Sequence, residues 1–310
     1  MKWTRTVLAA AALAWCGHAA VAQEGIDDPT RAQFYDSFKG KTIAYLPIAM
    51  GFDMSQAWYA QVKQAADDLG MKVEMRDPNW NTDAMAQAFT DLIATKPAVI
   101  VTQNPDFSSF AKLLKQAQKA GIYVIQVNMK SVVPTEAYVG PDFVGMGEMT
   151  GNMAVKQCGA GSGGSGKVAI VQGAITGGVS VLQLKGIMNV FKEHPEIKVV
   201  SSQAANWDAT KARAIADSVL QQNEDLCAIV GVWDGEDTGV GAAVQQAGKV
   251  GKVAIFTTGG GATSQCDNVD KGIFTAAVNY DAVPPSAALR SRARSGPCRP
   301  SRVRASACHR

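Results

Sequence analysis

The chain has 310 residues, 47% of them apolar and 18% charged, which is enough apolar content for a packed core and argues against disorder. Its formal net charge of +3 is unevenly placed: without Lys2 and Arg5, and without the seven Arg of residues 284–310, 21 basic residues face all 27 acids and the body is near −6. A mildly acidic body lacks the basic footprint that nucleic-acid binding requires, so no nucleic-acid partner is expected.

Residues 1–22 read as a cleavable secretory signal. Lys2 and Arg5 supply the charged start and Val7 to Trp15 a short apolar run, too short to span a bilayer. Ala20-Val21-Ala22 is a small-residue cleavage site, which predicts a mature start at Gln23 and a periplasmic location. The bulky Trp15 directly before Cys16 argues against lipid attachment there.

From Lys41 the pattern alternates strand and helix. Strands are predicted over Thr42–Ile48, Lys72–Arg76, Ala98–Thr102 and Tyr123–Asn128, with helices over Ser55–Leu69, Thr82–Thr95 and Ser108–Ala120 between them. The rhythm then restarts. Helices are predicted over Val144–Gln157, Val179–Glu193, Thr210–Gln222 and Gly239–Ala247, and strands over Lys167–Gln172, Ile197–Ser202, Ala228–Trp233, Val253–Thr257 and Phe274–Asn279. Near-continuous apolar strands separated by helices indicate parallel sheets covered on both faces. The fold class is therefore α/β: two Rossmann-like lobes, residues 41–141 and 142–280, joined by a hinge near Gly140-Pro141-Asp142.

Residues 284–310 break this grammar. Arg occurs three times in residues 23–282 and seven times in this tail, which also holds Pro284, Pro285, Pro297 and Pro300 and no helical or strand period. The tail reads as an aberrant basic segment without regular structure, the composition expected of a shifted reading frame in a GC-rich gene. Reading the gene across the codons for Ala282 to Pro285 tests that expectation.

Gly161 to Lys167 (GSGGSGK) fits the start of a phosphate-binding loop, but Val168 stands where Ser or Thr must hold magnesium, and the motif precedes a strand instead of following one. It reads as a surface connection. No cysteine spacing suits zinc, and no cofactor is expected. Catalysis is disfavoured as well. Of three His, His18 lies in the signal, His194 at a helix end and His309 in the tail, and no Ser or Cys has an evident base. An acid/base pair drawn from Asp106, Asp234 and Glu236 is the residual enzymatic alternative.

Strand ends carry more information, because open parallel sheets bind ligands beyond the carboxyl ends of their strands. Phe52-Asp53, Asn79-Trp80, Gln103 to Asp106 and Asn128-Met129 follow the first lobe's strands. Gly173 to Gly178, Asn206-Trp207-Asp208, Trp233 to Glu236, Gly259 to Gly261 and Asn279-Tyr280 follow the second lobe's. Rings that stack on C–H faces, with amides and carboxylates that bind vicinal hydroxyls, suit a carbohydrate. Asn and Asp at such positions also cap helices, so each amide or carboxylate has two readings.

Over residues 41 to about 282 the chain resembles the periplasmic sugar-binding proteins of the ribose and galactose type. The resemblance rests on Gln64 to Gly70 (QAADDLG), Gln103 to Asp106, Ala120 to Ile125 (AGIYVI), Val139-Gly-Pro-Asp142, Asn206-Trp207-Asp208, and Trp233-Asp234 leading to Gly239. It implies a ligand set of Phe52, Asp53, Asn104, Asp106, Asn128, Gln183, Trp207, Trp233, Asp234, Gly260 and Asn279. Phe52 would form the first-lobe aromatic wall, Asn104 and Asn128 would take hydroxyls, and Trp207 would be the second-lobe stacking ring. Trp233 falls where the family often has Asn, Gln183 near a usual Arg, Gly259 or Gly260 at a usual Asp, and Asn279 near a usual Gln. The charged clamp on a free pentose is thus largely missing, so another sugar, a sugar alcohol or a more apolar glycoside is expected.

The resemblance further implies a monomer that closes on its solute and is read by an ABC permease of the inner membrane. The alternatives are a sensing partner of a chemoreceptor or sensor kinase, and a sugar-responsive repressor, which the signal segment opposes. A last first-lobe strand and helix and a third crossing between lobes are not recognisable. Cys158 precedes the first strand of the second lobe and Cys227 starts the third; in the 2-1-3-4-5 order that the resemblance implies those strands are neighbours, so the two, away from the cleft, are the expected disulfide, with Cys266 outside it.

Overall fold

A computed structural model of the chain describes residues 29–260, 263–280 and 306–308, distributed over two units, Met1–Lys39 and Gly40–Arg310. The signal segment, residues 284–305 and residues 309–310 of the tail lie outside the described residues. In the first unit, a helix that the sequence reading did not anticipate, α1 (Pro29–Asp36), is closed by the Ser37 hydroxyl donating to the Phe34 carbonyl, and Phe34 meets Phe38 edge to face at 4.9 Å.

The second unit holds two sheets. The first is built from β1 (Thr42–Leu46), β2 (Lys72–Met75), β3 (Val99–Thr102), β4 (Tyr123–Val127) and a short unanticipated β5 (Ala137–Val139), in the order β2-β1-β3-β4-β5, all parallel. The crossovers are α2 (Asp53–Asp68), α3 (Thr82–Thr95) and α4 (Ala111–Lys119). α3 buries Met85, Phe89 and Leu92, one stripe at helical spacing, onto Ala44, Leu46, Ile100 and Val124. α4 starts three residues later than predicted because Asp106 draws the N–H groups of Ser108 and Ser109 into a turn at 2.7 Å each.

The second sheet follows from α5 (Phe143–Cys158), β6 (Lys167–Gln172), α6 (Gly178–Lys192), β7 (Lys198–Ala204), α7 (Ala209–Gln222), β8 (Ala228–Gly231), α8 (Asp234–Gln246), β9 (Ala254–Gly259), α9 (Thr263–Asp270) and β10 (Ala276–Asn279). Its order is β11-β10-β9-β8-β6-β7, parallel except for β11 (Ser306–Cys308), which pairs antiparallel with β10. The tail, expected to hold no regular structure, therefore contributes one three-residue strand among its described residues. Alternation along β6 explains the double cover: Val168 and Ile170 pack with α5 and α6, whereas Ala169 and Val171 pack with α7 and α8. α8 begins five residues before the predicted Gly239, with Asp234, Glu236 and Asp237 in its first turn.

α5 and α6 pack with their backbones in near contact. A Cβ at Gly186 would collide with the Val144 carbonyl, and one at Gly147 with the Gln183 carbonyl, so neither site admits a side chain. α5 is also tied at its far end by the Cys158–Cys227 disulfide, Cα–Cα 5.8 Å, which joins it to the residue preceding β8. The bridge closes a sequence separation of 69. Replacing both cysteines with Ser is expected to lower unfolding free energy by about 2–5 kcal/mol, and equal urea midpoints for the two proteins would contradict it.

Candidate functional site

Both sheets present loops from their strand carboxyl ends to one narrow cavity of about 40 Å³. From the first sheet come Ile48 after β1, Phe52 and Met54 at the start of α2, Trp80 after β2, Gln103 after β3, and Asn128 and Met129 after β4. From the second come Val179 and Gln183 on α6, Trp207 after β7, Val232 and Trp233 after β8, Thr258 and Gly259 at the end of β9, and Tyr280 after β10. Phe143, opening α5, completes the wall. Among the described residues, no charged side chain lines it.

The same turn delivers one tryptophan from each sheet. Asn79 and Trp80, then Asn206 and Trp207, are consecutive residues at positive φ (47° and 66°, 55° and 66°). In each case the next residue donates its N–H back across the turn, Asn81 to Pro78 O at 2.9 Å and Asp208 to Ala205 O at 3.2 Å. Two successive positive φ values belong to a type I′ turn, and Asn is well suited to such a position. The side chain that follows caps the next helix: Asn81 accepts from Ala84 N–H, and Asp208 from Thr210 and Lys211 N–H. Trp207 lies flat over Gly173, where a Cβ would strike the indole.

The rings form one cluster. Phe52 stacks on Trp80 at 5.4 Å, and Trp233 meets Phe52 at 5.8 Å, Trp80 at 6.3 Å and Trp207 at 6.1 Å. Below them Tyr280 crosses from the second sheet, its hydroxyl donating to Asn128 Oδ1 at 2.8 Å. Several wall groups are committed to the backbone: Gln103 Oε1 accepts from Ile48 N–H at 2.8 Å, Gln183 Nε2 donates to Val232 O at 2.9 Å, and Thr258 Oγ1 donates to the same carbonyl at 2.7 Å. Gln183 Oε1 is buried with no partner.

Of the residues expected at the site, Phe52, Asn128, Gln183, Trp207 and Trp233 share this wall; the others lie off it. Asn104 is fully buried and spends its amide on Gln126 Oε1 and Met129 O, both at 2.8 Å. Asp106 caps the turn before α4. Burial raises its carboxyl, but hydrogen bonds from Ser109 and Ser108 outweigh that and hold it below the ordinary carboxylate range. Asp53 is exposed at the start of α2. Gly260 faces Met54, and Asn279, ending β10, sits beside Gly259 in the parallel register. Trp80, Tyr280, Met54 and Thr258 are wall residues absent from the expected set.

Asp234 sits behind the wall, and burial, with a further push from the Asp53 charge, raises its carboxyl to about 6. Its helix neighbours go further. Burial raises Glu236 to about 9 and Asp237 to about 8, each raised again by a neighbouring carboxylate. Glu236 Oε2 accepts the Trp207 N–H at 2.7 Å, which fixes the turn carrying that ring, and Asp237 accepts from the Thr257 hydroxyl. Among the described residues no group of three His, Cys, Asp or Glu is placed to hold a metal ion.

These two acids make stability depend on pH. Their folded pKa values exceed the unfolded values near 4, so their contribution is complete below about pH 4 and is lost as pH rises through 8 and 9. The carboxylates held low, such as Asp106 and Asp208, act below that window. Tm is expected to fall by at least about 5 °C between pH 5 and pH 9, and Asp237→Asn to flatten the slope; a rising Tm over that range would refute the assignment. Glu236→Ala, which orphans the Trp207 N–H, is expected to cost about 1–3 kcal/mol in urea unfolding, whereas Glu236→Gln keeps an acceptor and loses less. Equal losses in the two variants would show that the Trp207 bond is unimportant.

The chain is similar to known proteins over most of its length. It is 28% identical over 221 residues to the D-allose-binding periplasmic protein of Escherichia coli K12, covering 67% of this chain and 70% of that one. It is 24% identical over 206 residues to the D-ribose/D-allose-binding protein of Pseudomonas aeruginosa, covering 63% of this chain and 62% of the relative. A crystal structure of a galactofuranose binding protein superposes with a TM-score of 0.72 at 20% identity, covering 84% of this chain and 90% of that one, which shows the shared fold. A family model described as a periplasmic binding protein domain matches residues 43–287. The chain belongs to the periplasmic binding protein domain family.

Proposed function

We propose that the cavity captures a neutral sugar or sugar alcohol, and that the protein delivers it from the periplasm to an ABC-type importer without altering it. The observation that carries this reading is the wall itself: aromatic faces and amides from both sheets, converging without a charged side chain among the described residues. Ring faces take the C–H surface of a sugar, and Asn128, Gln183 and Thr258 offer the hydroxyls directed partners. The names of the relatives, an allose-binding and a ribose/allose-binding protein, support the ligand class. Another relative is named an ABC transporter periplasmic-binding protein, which supports the importer.

Contacts from both sheets give the mechanism its energy. A guest that touches Trp80 or Phe52 on one side and Trp207 or Gln183 on the other gains its full contact only when the lobes are together, so binding shifts the population toward the closed form. That closed shape is what a permease would read. The residues 1–22 signal, with Gln23 as the mature start, supplies the route to the periplasm, and a monomer suffices for this role.

Melting the protein with D-ribose, D-allose and xylitol in turn tests the reading. At one hundred times Kd a guest adds about 2.7 kcal/mol, so at least one is expected to raise Tm by several degrees and to change tryptophan emission. Trp207→Ala should weaken that guest about tenfold or more. Unchanged melting and emission across a wide panel of sugars and polyols would remove the proposal.

A further inference from the structure

Trp233 holds a different position from the other rings. It is the N-cap residue of α8, with extended backbone (φ −160°) that sends the indole into the cleft. There it lies within 6.3 Å of ring centroids from both lobes, Phe52 and Trp80 on one side and Trp207 on the other. Its own helix start fixes it from beneath, since the indole folds over Gly235, where a Cβ would run into the ring. A side chain confined on three sides by rings and on the fourth by backbone has little room to swing, so it acts as a wall. The space it fills is the space between the aromatic faces of the two lobes, where a guest must lie to touch both.

Resting on the sugar-binding reading above, we infer that Trp233 sets the upper size of the guest, so that the cleft selects a four- or five-carbon sugar or polyol and rejects a six-membered hexose ring. Such a guest lies against Trp207 and the edge of Trp233. One of its hydroxyls donates to Gln183 Oε1, the buried acceptor that has no partner in the protein. Satisfying that atom removes the penalty of an unpaired buried acceptor, which gives the small guest a directed contact as well as a fit. A hexopyranose must either displace the indole or hold the lobes apart, and both forfeit the contacts between Trp233 and the first-lobe rings. Pocket discrimination of one extra carbon unit is worth about tenfold or more.

The test is a ratio. Affinities for D-ribose and xylitol are compared with those for D-allose and D-galactose by calorimetry, in the wild type, Trp233→Asn, Trp233→Phe and Trp207→Phe. The wild type is expected to favour the five-carbon guests by at least about tenfold. Trp233→Asn should bring the ratio near one or invert it, with Trp233→Phe in between. Trp207→Phe should weaken all guests while leaving the ratio unchanged. Should Trp233→Asn fail to fold, as judged by near-ultraviolet circular dichroism, the Trp233→Phe ratio decides alone. Equal binding of hexoses by the wild type, or a uniform loss across the panel in the Trp233 variants, overturns the size assignment while leaving sugar binding intact. No binding of any guest by any of the four proteins overturns the sugar-binding reading, and the size assignment falls with it.

Discussion

Parallel strands can be joined only by crossovers, and all but the β4–β5 connection here are helices that cover the sheet faces. That constraint puts the carboxyl end of every parallel strand on one edge of its sheet, so each loop that leaves such a strand for a helix is delivered to the same place. Two such sheets in one chain then supply two clusters of loop residues, and the cavity is where the clusters meet. The cost is a fully buried strand such as β8, Ala228–Gly231, whose four residues are all buried and carry no polar side chain. Polar side-chain groups are pushed two or three residues past the strand, which is where Trp233 and Asp234 stand.

Behind the second-lobe wall, the acids of α8 show how the aromatic surface is held. Glu236 and Asp237 are fully buried and are retained although burial drives both toward their protonated forms. Their partners account for this. Glu236 holds the backbone of Trp207 at a turn with positive φ, and Asp237 ties the start of α8 to Thr257 on β9. One helix start thus positions two of the cavity's rings, Trp233 by carrying it and Trp207 by bonding to its backbone. The arrangement resembles a bracket that sets the spacing between two plates.

Much of the fold was legible in the sequence because parallel sheets write themselves as apolar runs separated by helical stripes. The bounds of α3 and β6 fell as read, the first because Asn81 is a strong cap and the stripe Met85, Phe89, Leu92 is clean, the second because Gly166 and Gly173 bracket an unbroken run. α9 was invisible for the opposite reason, since Thr263 to Asp270 (TSQCDNVD) has no apolar stripe. At the site, rings were easier to read than amides. Trp207 and Trp233 follow strands and have no alternative local use, whereas Asn104 could equally bind a ligand or serve the protein itself, and its amide goes to the Gln126 side chain and the Met129 carbonyl. Trp80 stands among the strand-end residues of the sequence but not in the ligand set that the resemblance implies, although a further signal marks it. Asn79-Trp80-Asn81 after the second strand of the first lobe repeats Asn206-Trp207-Asp208 after the second strand of the next, and the repeat marks an equivalent turn. Tyr280 likewise stands at a strand end, but its bond to Asn128 is illegible in the sequence, because it joins residues 152 apart in the chain.

The helix that receives the chain from the first lobe is locked at both ends of its span. Gly147 and Gly186 let α5 lie directly on α6, and Cys158 pins its last residue to the amino end of β8. Such a helix behaves as a stiff lever arm welded to the second lobe, unable to absorb rotation by loosening along its length. Any torque it receives is therefore passed whole to its flanks, above all to Gly140, Pro141 and Asp142 just ahead of it.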